Sequence, residues 1–442
     1  MKTILRTLAL ATLAVTQAGC DWDGGAAGNG PAAAAQAGAQ APVHAGTLDV
    51  AVSVANARQP VPAGTLTALS AVPGVPAWST TGGNPGHTNY VPASFDPAKF
   101  SHRFSWTLPA GAIVSQAQVA LDGGQAFVVV SDTAGEWTLH AIDEATGKVN
   151  WTTALGKLDI VDPPAAHDGK VIVSTQAGSQ GDALWFLDQR SGEVLDRQAM
   201  PSRHAPGHST ADMRMAPVVA GDGIYVNDRA AGKLVAKFDV STHKLLWEST
   251  WSGSPIYTFA PAVDNGRVYA AFSDGGLLGF DAGSGATVLE HHRQFTDAPM
   301  PGMMTSEGVA YALSPNGVVA TDLKQGSFKW QGPVLLDMAA PPGPVLYGVA
   351  HDAVQAVERA TGKTLWRMPL PSPAAVSNPI LATKNLLFIS NYPQNGSGTY
   401  AVDIATRKVV WTCAEGGWLS ISPNGVLYIT PFKGRITAVN LG

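Results

Sequence analysis

The segment AIDEATGKVNW, residues 141–151, reads as an apolar strand ending at Asp143, a tight turn over Thr146-Gly147, and a return strand carrying Trp151. A carboxylate at the end of the first strand can accept backbone N–H groups inside the turn, as Asx-type caps do. Gly147 supplies the positive φ that such a turn needs. The pattern recurs as FLDQRSGEVLD (186–196), KFDVSTHKLLW (237–247), GFDAGSGATVL (279–289), ATDLKQGSFKW (320–330), AVERATGKTLW (356–366) and AVDIATRKVVW (401–411), and it opens again as AVN (438–440) at the chain end. The acidic position is therefore Asp143, Asp188, Asp239, Asp281, Asp322, Glu358 and Asp403, with Asn440 last. Eight residues later stands Trp151, Trp247, Trp330, Trp366 or Trp411, with Asp196 and Leu289 in the two remaining copies. The copies are spaced about 42 residues apart, within the range of propeller blades.

Upstream of most copies lies a second turn, such as Asp122-Gly, Asp168-Gly, Asp222-Gly, Asn265-Gly, Asn316-Gly or Asn424-Gly. It precedes a β-rich run such as AFVVV (126–130), KVIVST (170–175) or VLYIT (426–430). Asp-Gly and Asn-Gly between apolar runs are strong hairpin signals. Each unit thus contributes four antiparallel strands. The eighth unit lacks a strand after AVN, whereas RFSWTL (103–108) is a Trp-bearing strand with no acidic hairpin before it. The expected fold is all-β: an eight-bladed propeller over residues 103–442, closed by the strand of Trp106 completing the last blade. Closure removes the free sheet edges that an open array would leave. The repeated Trp is expected to pack between neighbouring blades, burying its ring and keeping its N–H paired.

Composition agrees. Charged residues are 14% and hydrophobic residues 45% of 442, with 48 Gly and 31 Pro, which suits many short strands and turns. The net charge of −5 and the lack of basic runs exclude the Lys/Arg footprint of a nucleic-acid binder. Two cysteines exclude a disulfide framework and a Cys-rich metal or iron–sulfur site.

Residues 1–19 carry Lys2 and Arg6, a short apolar stretch and small residues before Cys20. They resemble a bacterial lipoprotein signal, in which the cysteine is lipidated and becomes the mature first residue. Gln17 stands where such signals usually have Leu, and an ordinary secretory signal is the alternative. Either exports the chain, so a cell-envelope, periplasm-facing location is expected. Asp21 resembles the inner-membrane retention signal of enterobacterial lipoproteins, a rule that does not transfer between bacteria, so inner and outer membrane both stay open. Residues 20–46, nearly all Ala, Gly, Gln, Pro and Asn, read as a flexible tether. Residues 47–102 read as an extension that packs on the ring. Membrane contact is expected through the lipid alone, and the propeller is expected to be monomeric.

The Asp-x-x-Thr-Gly-x-x-x-Trp repeat resembles the tryptophan-docking repeat of quinoprotein-like (PQQ-repeat) eight-bladed propellers. WSTTGGNPGHTNYVP (78–92) resembles the lead-in that precedes many of them, with His87 as a hydrogen-bonded structural residue. One branch of that family holds PQQ-dependent dehydrogenases. The other holds BamB-like lipoproteins of the outer-membrane β-barrel assembly machine. The dehydrogenases typically carry adjacent cysteines over the quinone, and a Glu, an Asn and an Asp around Ca²⁺ and the catalytic base. This chain has no Cys pair and no Cys-x-x-Cys-His haem site. The expectation is a non-catalytic scaffold for envelope proteins without PQQ, metal or other cofactor; a PQQ-binding or other ligand-binding, catalytic propeller is the alternative.

The candidate partner-facing loop is residues 200–217, with His204, His208, Asp212 and Arg214. Pro206 and Gly207 break any helical spacing between the two His, which argues against a metal there. Met300, Met303 and Met304 are read as core filling, Cys413 as a small buried residue, and Arg190, Arg359 and Arg407 as solvated turn residues.

Overall fold

The computed structural model describes residues 68–176, 182–200, 216–227, 233–250, 260–271, 276–291, 303–370, 379–391 and 398–442. Their strands form eight separate antiparallel sheets, which are the eight blades of a propeller. Blade 3 is representative, with strands Val218–Ala220, Gly223–Asn227, Lys233–Asp239 and Leu245–Thr250 in spatial as well as chain order. Blades 1 and 2 each divide their innermost strand in two, so those sheets hold five strands.

The ring closes through the two ends of the described chain. Ser101–Thr107 is the outer strand of blade 8 and pairs antiparallel with Arg435–Asn440. Ser101 faces Asn440, Phe104 faces Ala438 and Trp106 faces Ile436. The register shifts at Arg103, which turns inward and donates from Nε to Glu144 O (2.6 Å), from Nη2 to Ala145 O (2.9 Å) and from Nη1 to Asn440 Oδ1 (3.0 Å). One buried guanidinium thus ties both chain ends to the turn of blade 1.

The middle strands bury both faces, because each blade is covered by a neighbour on either side. Gly223–Asn227 is buried throughout, as is Val426–Thr430. The outer strands alternate with exposed positions, as in Val194–Ala199. One bond recurs in every blade: the residue after the acidic position donates its N–H to the inner turn, at 2.9–3.0 Å. The eight pairs are Glu144 to Gly124, Gln189 to Gly169, Val240 to Asp222, Ala282 to Gly266, Leu323 to Gly308, Arg359 to Pro344, Ile404 to Asn385 and Leu441 to Gly425. In blade 5 the inner turn is Glu307-Gly308, whereas Asn316-Gly317 connects the second and third strands.

The lead-in makes one circuit of the ring. Val72 donates to Pro423 O of blade 8, and Trp78 bridges Leu121 of blade 1. Ala166 of blade 2 donates to Ser79 O, and Thr80 Oγ1 donates to Pro217 O beside blade 3. Val263 of blade 4, Thr305 of blade 5, Ala340 of blade 6 and Ala382 of blade 7 donate to Pro85, Gly86, Thr88 and Asn89 in turn. Gly86 must lack a side chain, since a β-carbon there would stand 2.5 Å from Thr305 O. The segment then enters blade 8 as its outer strand.

Candidate functional site

The acids build the turns. Asp143 Oδ1 accepts from Thr146 N and Oγ1, both at 2.7 Å. Asp188, Asp239, Asp281 and Asp403 accept in the same way from Ser191, Thr242, Ser284 and Thr406, and Asp322 accepts from Lys324 N and Gln325 N. Glu358 pairs with Thr361 Oγ1. Bonds from the turn backbone and hydroxyls hold the carboxyls of Asp188, Asp239, Asp281, Asp322 and Asp403 below the usual carboxylate range.

The next turn around the ring receives the residue eight positions later. Trp151, Trp247 and Trp330 lie against Gly192, Gly285 and Gly362, where a β-carbon would come within 2.4–2.7 Å of the indole. Each indole N–H donates to the residue after the next acid: Trp151 to Gln189 O (3.1 Å), Trp247 to Ala282 O (3.2 Å) and Trp330 to Arg359 O (2.8 Å). Leu289 fills the same place against Gly326. Trp366 meets Arg407, whose guanidinium carbon lies 5.6 Å from the ring centroid. Phe100 of the lead-in meets Trp411 edge-on at 5.4 Å.

One seam departs from the reading of the sequence. Trp106 is not the docking residue of blade 8. Phe104 stands opposite Ala438, as Trp151 stands opposite Ala141, and Phe104 covers Gly147. The two-residue difference follows from the missing turn: nothing fixes the spacing from acid to dock when the two strands come from opposite chain ends. Trp106 instead packs at 5.2 Å against His140, whose pKa burial lowers to about 4. At the seam of blades 2 and 3, Asp196 replaces Trp and His243 replaces Gly; His243 Nδ1 lies 3.1 Å from Asp196 Oδ2.

Arg359, expected in solvent, is buried. It donates to Tyr311 OH, Glu307 Oε2 and the carbonyls of Ser306, Pro341 and Gly343 at 2.6–3.1 Å. The motif gave no hint of this, because the acceptors come from the neighbouring blade and an inner turn. Cys413 is buried, and burial raises its thiol pKa. Met303 and Met304 are buried in the inner strand of blade 5. His87 is buried with Nδ1 2.7 Å from Thr81 O and Nε2 3.2 Å from Pro261 O, and burial lowers its pKa. Cys20, Met300, His204, His208, Asp212 and Arg214 lie outside the described residues.

Among the described residues, no group of three or more His, Cys, Asp and Glu could hold a metal ion. Burial raises the carboxyl of Asp337, on the inner strand of blade 6, to about 7. Its oxygens accept from Met338 N (2.8 Å) and Ile380 N (3.0 Å), so it braces blade 6 against blade 7. Val194, Leu195, Leu245, Leu246, Phe328 and Leu365 are about half exposed on the outer strands of blades 2, 3, 5 and 6. All stand one or two residues before the docking position, a regularity the repeat alignment already contained.

The profile of the family described as outer membrane protein assembly factor BamB matches residues 62–253, 187–341 and 337–441. An outer membrane protein assembly factor BamB from Bordetella pertussis is 31% identical over 172 residues, 37% of this chain and 42% of that protein. The chain therefore aligns with less than half the length of that relative. The crystal structure of BamB from Moraxella catarrhalis superposes with a TM-score of 0.56 at 16% identity, over 77% of this chain and 97% of that one. Quinohemoprotein alcohol dehydrogenase from Comamonas testosteroni gives 0.61 at 14% identity, over 83% and 81%. At such identities the likeness to solved structures concerns the fold alone.

Proposed function

The chain belongs to the family of the outer membrane protein assembly factor BamB, and on that premise we propose that it acts in the cell envelope as a non-catalytic scaffold. Its partners in this reading are envelope proteins, the β-barrel assembly machinery first among them. It faces the periplasm, works as a single propeller without PQQ or metal, and is held to a membrane by lipid on Cys20. The observation that carries the reading is the family match along the whole ring. Two features support it. The conspicuous side chains of the repeat are engaged in building turns and seams, which leaves an outer surface with paired apolar residues. The sequence also lacks the adjacent cysteines of the quinone enzymes it resembles.

Crosslinking in intact envelopes, followed by capture of the tagged chain and identification of partners, tests the role. Components of the barrel assembly machinery are expected; their absence from the captured set overturns it. The anchor is tested separately. Cys20→Ser is expected to abolish incorporation of labelled fatty acid and to move the protein from membrane to soluble fractions.

A further inference from the structure

A segment that crosses a ring can run with the order of the blades or against it, and the lead-in runs with it. Trp78 pairs with Leu121 of blade 1, and Ser79 O, Thr80 Oγ1, Pro85 O, Gly86 O, Thr88 O and Asn89 O then serve blades 2 to 7 in turn. Its two ends meet on blade 8. A β-carbon on Gly425 would stand 2.9 Å from Val72 Cγ2 and 3.3 Å from Phe95 Cε1. Val72 N also donates to Pro423 O there, at 2.7 Å. Between those ends the segment is built into the ring: Trp78, Thr80, His87 and Val91 are buried, and a β-carbon on Gly86 would stand 2.5 Å from Thr305 O.

We propose that residues 72–95 are the template on which the propeller assembles: blades 1 to 7 dock on it in chain order, and blade 8 joins its two ends. The inner strand of each blade has an edge with no further strand beyond it, and a backbone N–H there is costly to bury unpaired. The lead-in offers blades 1, 2, 4, 5, 6 and 7 a carbonyl for one such N–H, while the preceding blade offers each newcomer a face to cover. Closing the loop between Trp78 and Leu121 costs less entropy than closing that between Asn89 and Ala382, because the intervening chain is far shorter. Once blade 6 is seated on Thr88 O, the next carbonyl, that of Asn89, already stands where blade 7 must arrive. A lead-in laid down last would instead have to enter a closed ring. It would have to seat Trp78 and Val91 in buried sites and pass Gly86 through a gap too narrow for a methyl group.

Refolding and unfolding rates of the full-length protein in urea, followed by far-UV circular dichroism, test this. A template acts before the ring is complete, so Trp78→Ala and Val91→Ala are expected to slow refolding about tenfold and to leave unfolding within about twofold. Trp330→Ala, in an outer seam that forms after docking, is expected to accelerate unfolding instead. Should Trp78→Ala not fold, Trp78→Phe takes its place. Pulse-labelled hydrogen exchange during refolding of the unaltered protein reads the order: protection is expected in peptides 120–131 first, then 262–271, then 380–391. The proposal is overturned if the lead-in variants act mainly on unfolding, if they slow refolding no more than Trp330→Ala does, or if the three peptides are protected together or in another order.

Discussion

Phe104 closes on Gly147: a β-carbon at that glycine would stand 2.5 Å from Phe104 Cγ. The contact joins the outer strand of blade 8 to the first repeat turn, so it docks the seam where the chain ends meet. Phe104→Ala is expected to cost about 3 kcal/mol, as for a buried aromatic, and Trp106→Ala about 1 kcal/mol, because Trp106 is half-buried against His140. Gly147→Ala is expected to cost about 2 kcal/mol, since φ is +71° and the new methyl meets the ring. Thermal and urea unfolding of the three variants check this order.

Arg359 is the most heavily committed cation among the described residues, reaching two side chains and three carbonyls across the seam of blades 5 and 6. Arg359→Lys cannot reproduce the fork and is expected to cost about 2 kcal/mol, and Arg359→Ala about 3 kcal/mol. Glu307→Gln is expected to cost under about 1 kcal/mol, because Glu307 is largely in solvent. Unfolding midpoints with unchanged m-values would place the effect in the folded state.

The lead-in is expected to be part of the cooperative fold rather than an appendage. Trp78 is buried, and its ring fills the space a β-carbon on Gly83 would enter at 2.6 Å. Trp78→Ala is expected to cost about 3 kcal/mol. Amides along the inner strands, Thr305 and Ala382 among them, should then exchange faster, because their acceptors lie in the lead-in. Exchange confined to residues 78–92 would contradict this.

Two sets of carboxyls set opposite pH trends. Asp337 has a folded pKa of about 7, above its unfolded value, so the folded state binds more protons between about pH 4 and 7. Its contribution to stability therefore falls as pH rises through that window, and Asp337→Asn should flatten the fall. The turn acids Asp188, Asp239, Asp281, Asp322 and Asp403 are depressed, so the stability they add is present above the unfolded carboxyl range and is lost as pH falls below about 4. Denaturant midpoints across pH 3 to 8 should show a dome whose alkaline side is shallower in Asp337→Asn.

Much of the ring was legible because its information is local and repeated. The acid, the Thr-Gly turn and the Trp each occur within eleven residues, and the mechanism of each can be stated without a partner: a cap, a positive φ, a large ring to bury. The closing strand was legible by counting, since the last unit lacks a strand and RFSWTL has no hairpin. The identity of its dock was not. A spacing rule learned from hairpins assumes a connecting turn, and at the closure Arg103 takes the place of one. The glycines were half legible: their φ could be read from the turn, but the ring pressed against each belongs to the preceding blade.

By itself, then, the sequence determined the number of blades, their four-strand plan and the way the ring is latched, because these follow from hydrogen bonds and turns made within a few residues or from simple closure. The tertiary structure alone decided which side chain meets which across a seam. It paired Asp196 with His243, buried Arg359, drew the lead-in once around the inner strands and lifted the Asp337 carboxyl. Those outcomes depend on groups brought together from different blades, where burial and electrostatic field are properties of the assembled ring and have no counterpart in the order of residues along the chain.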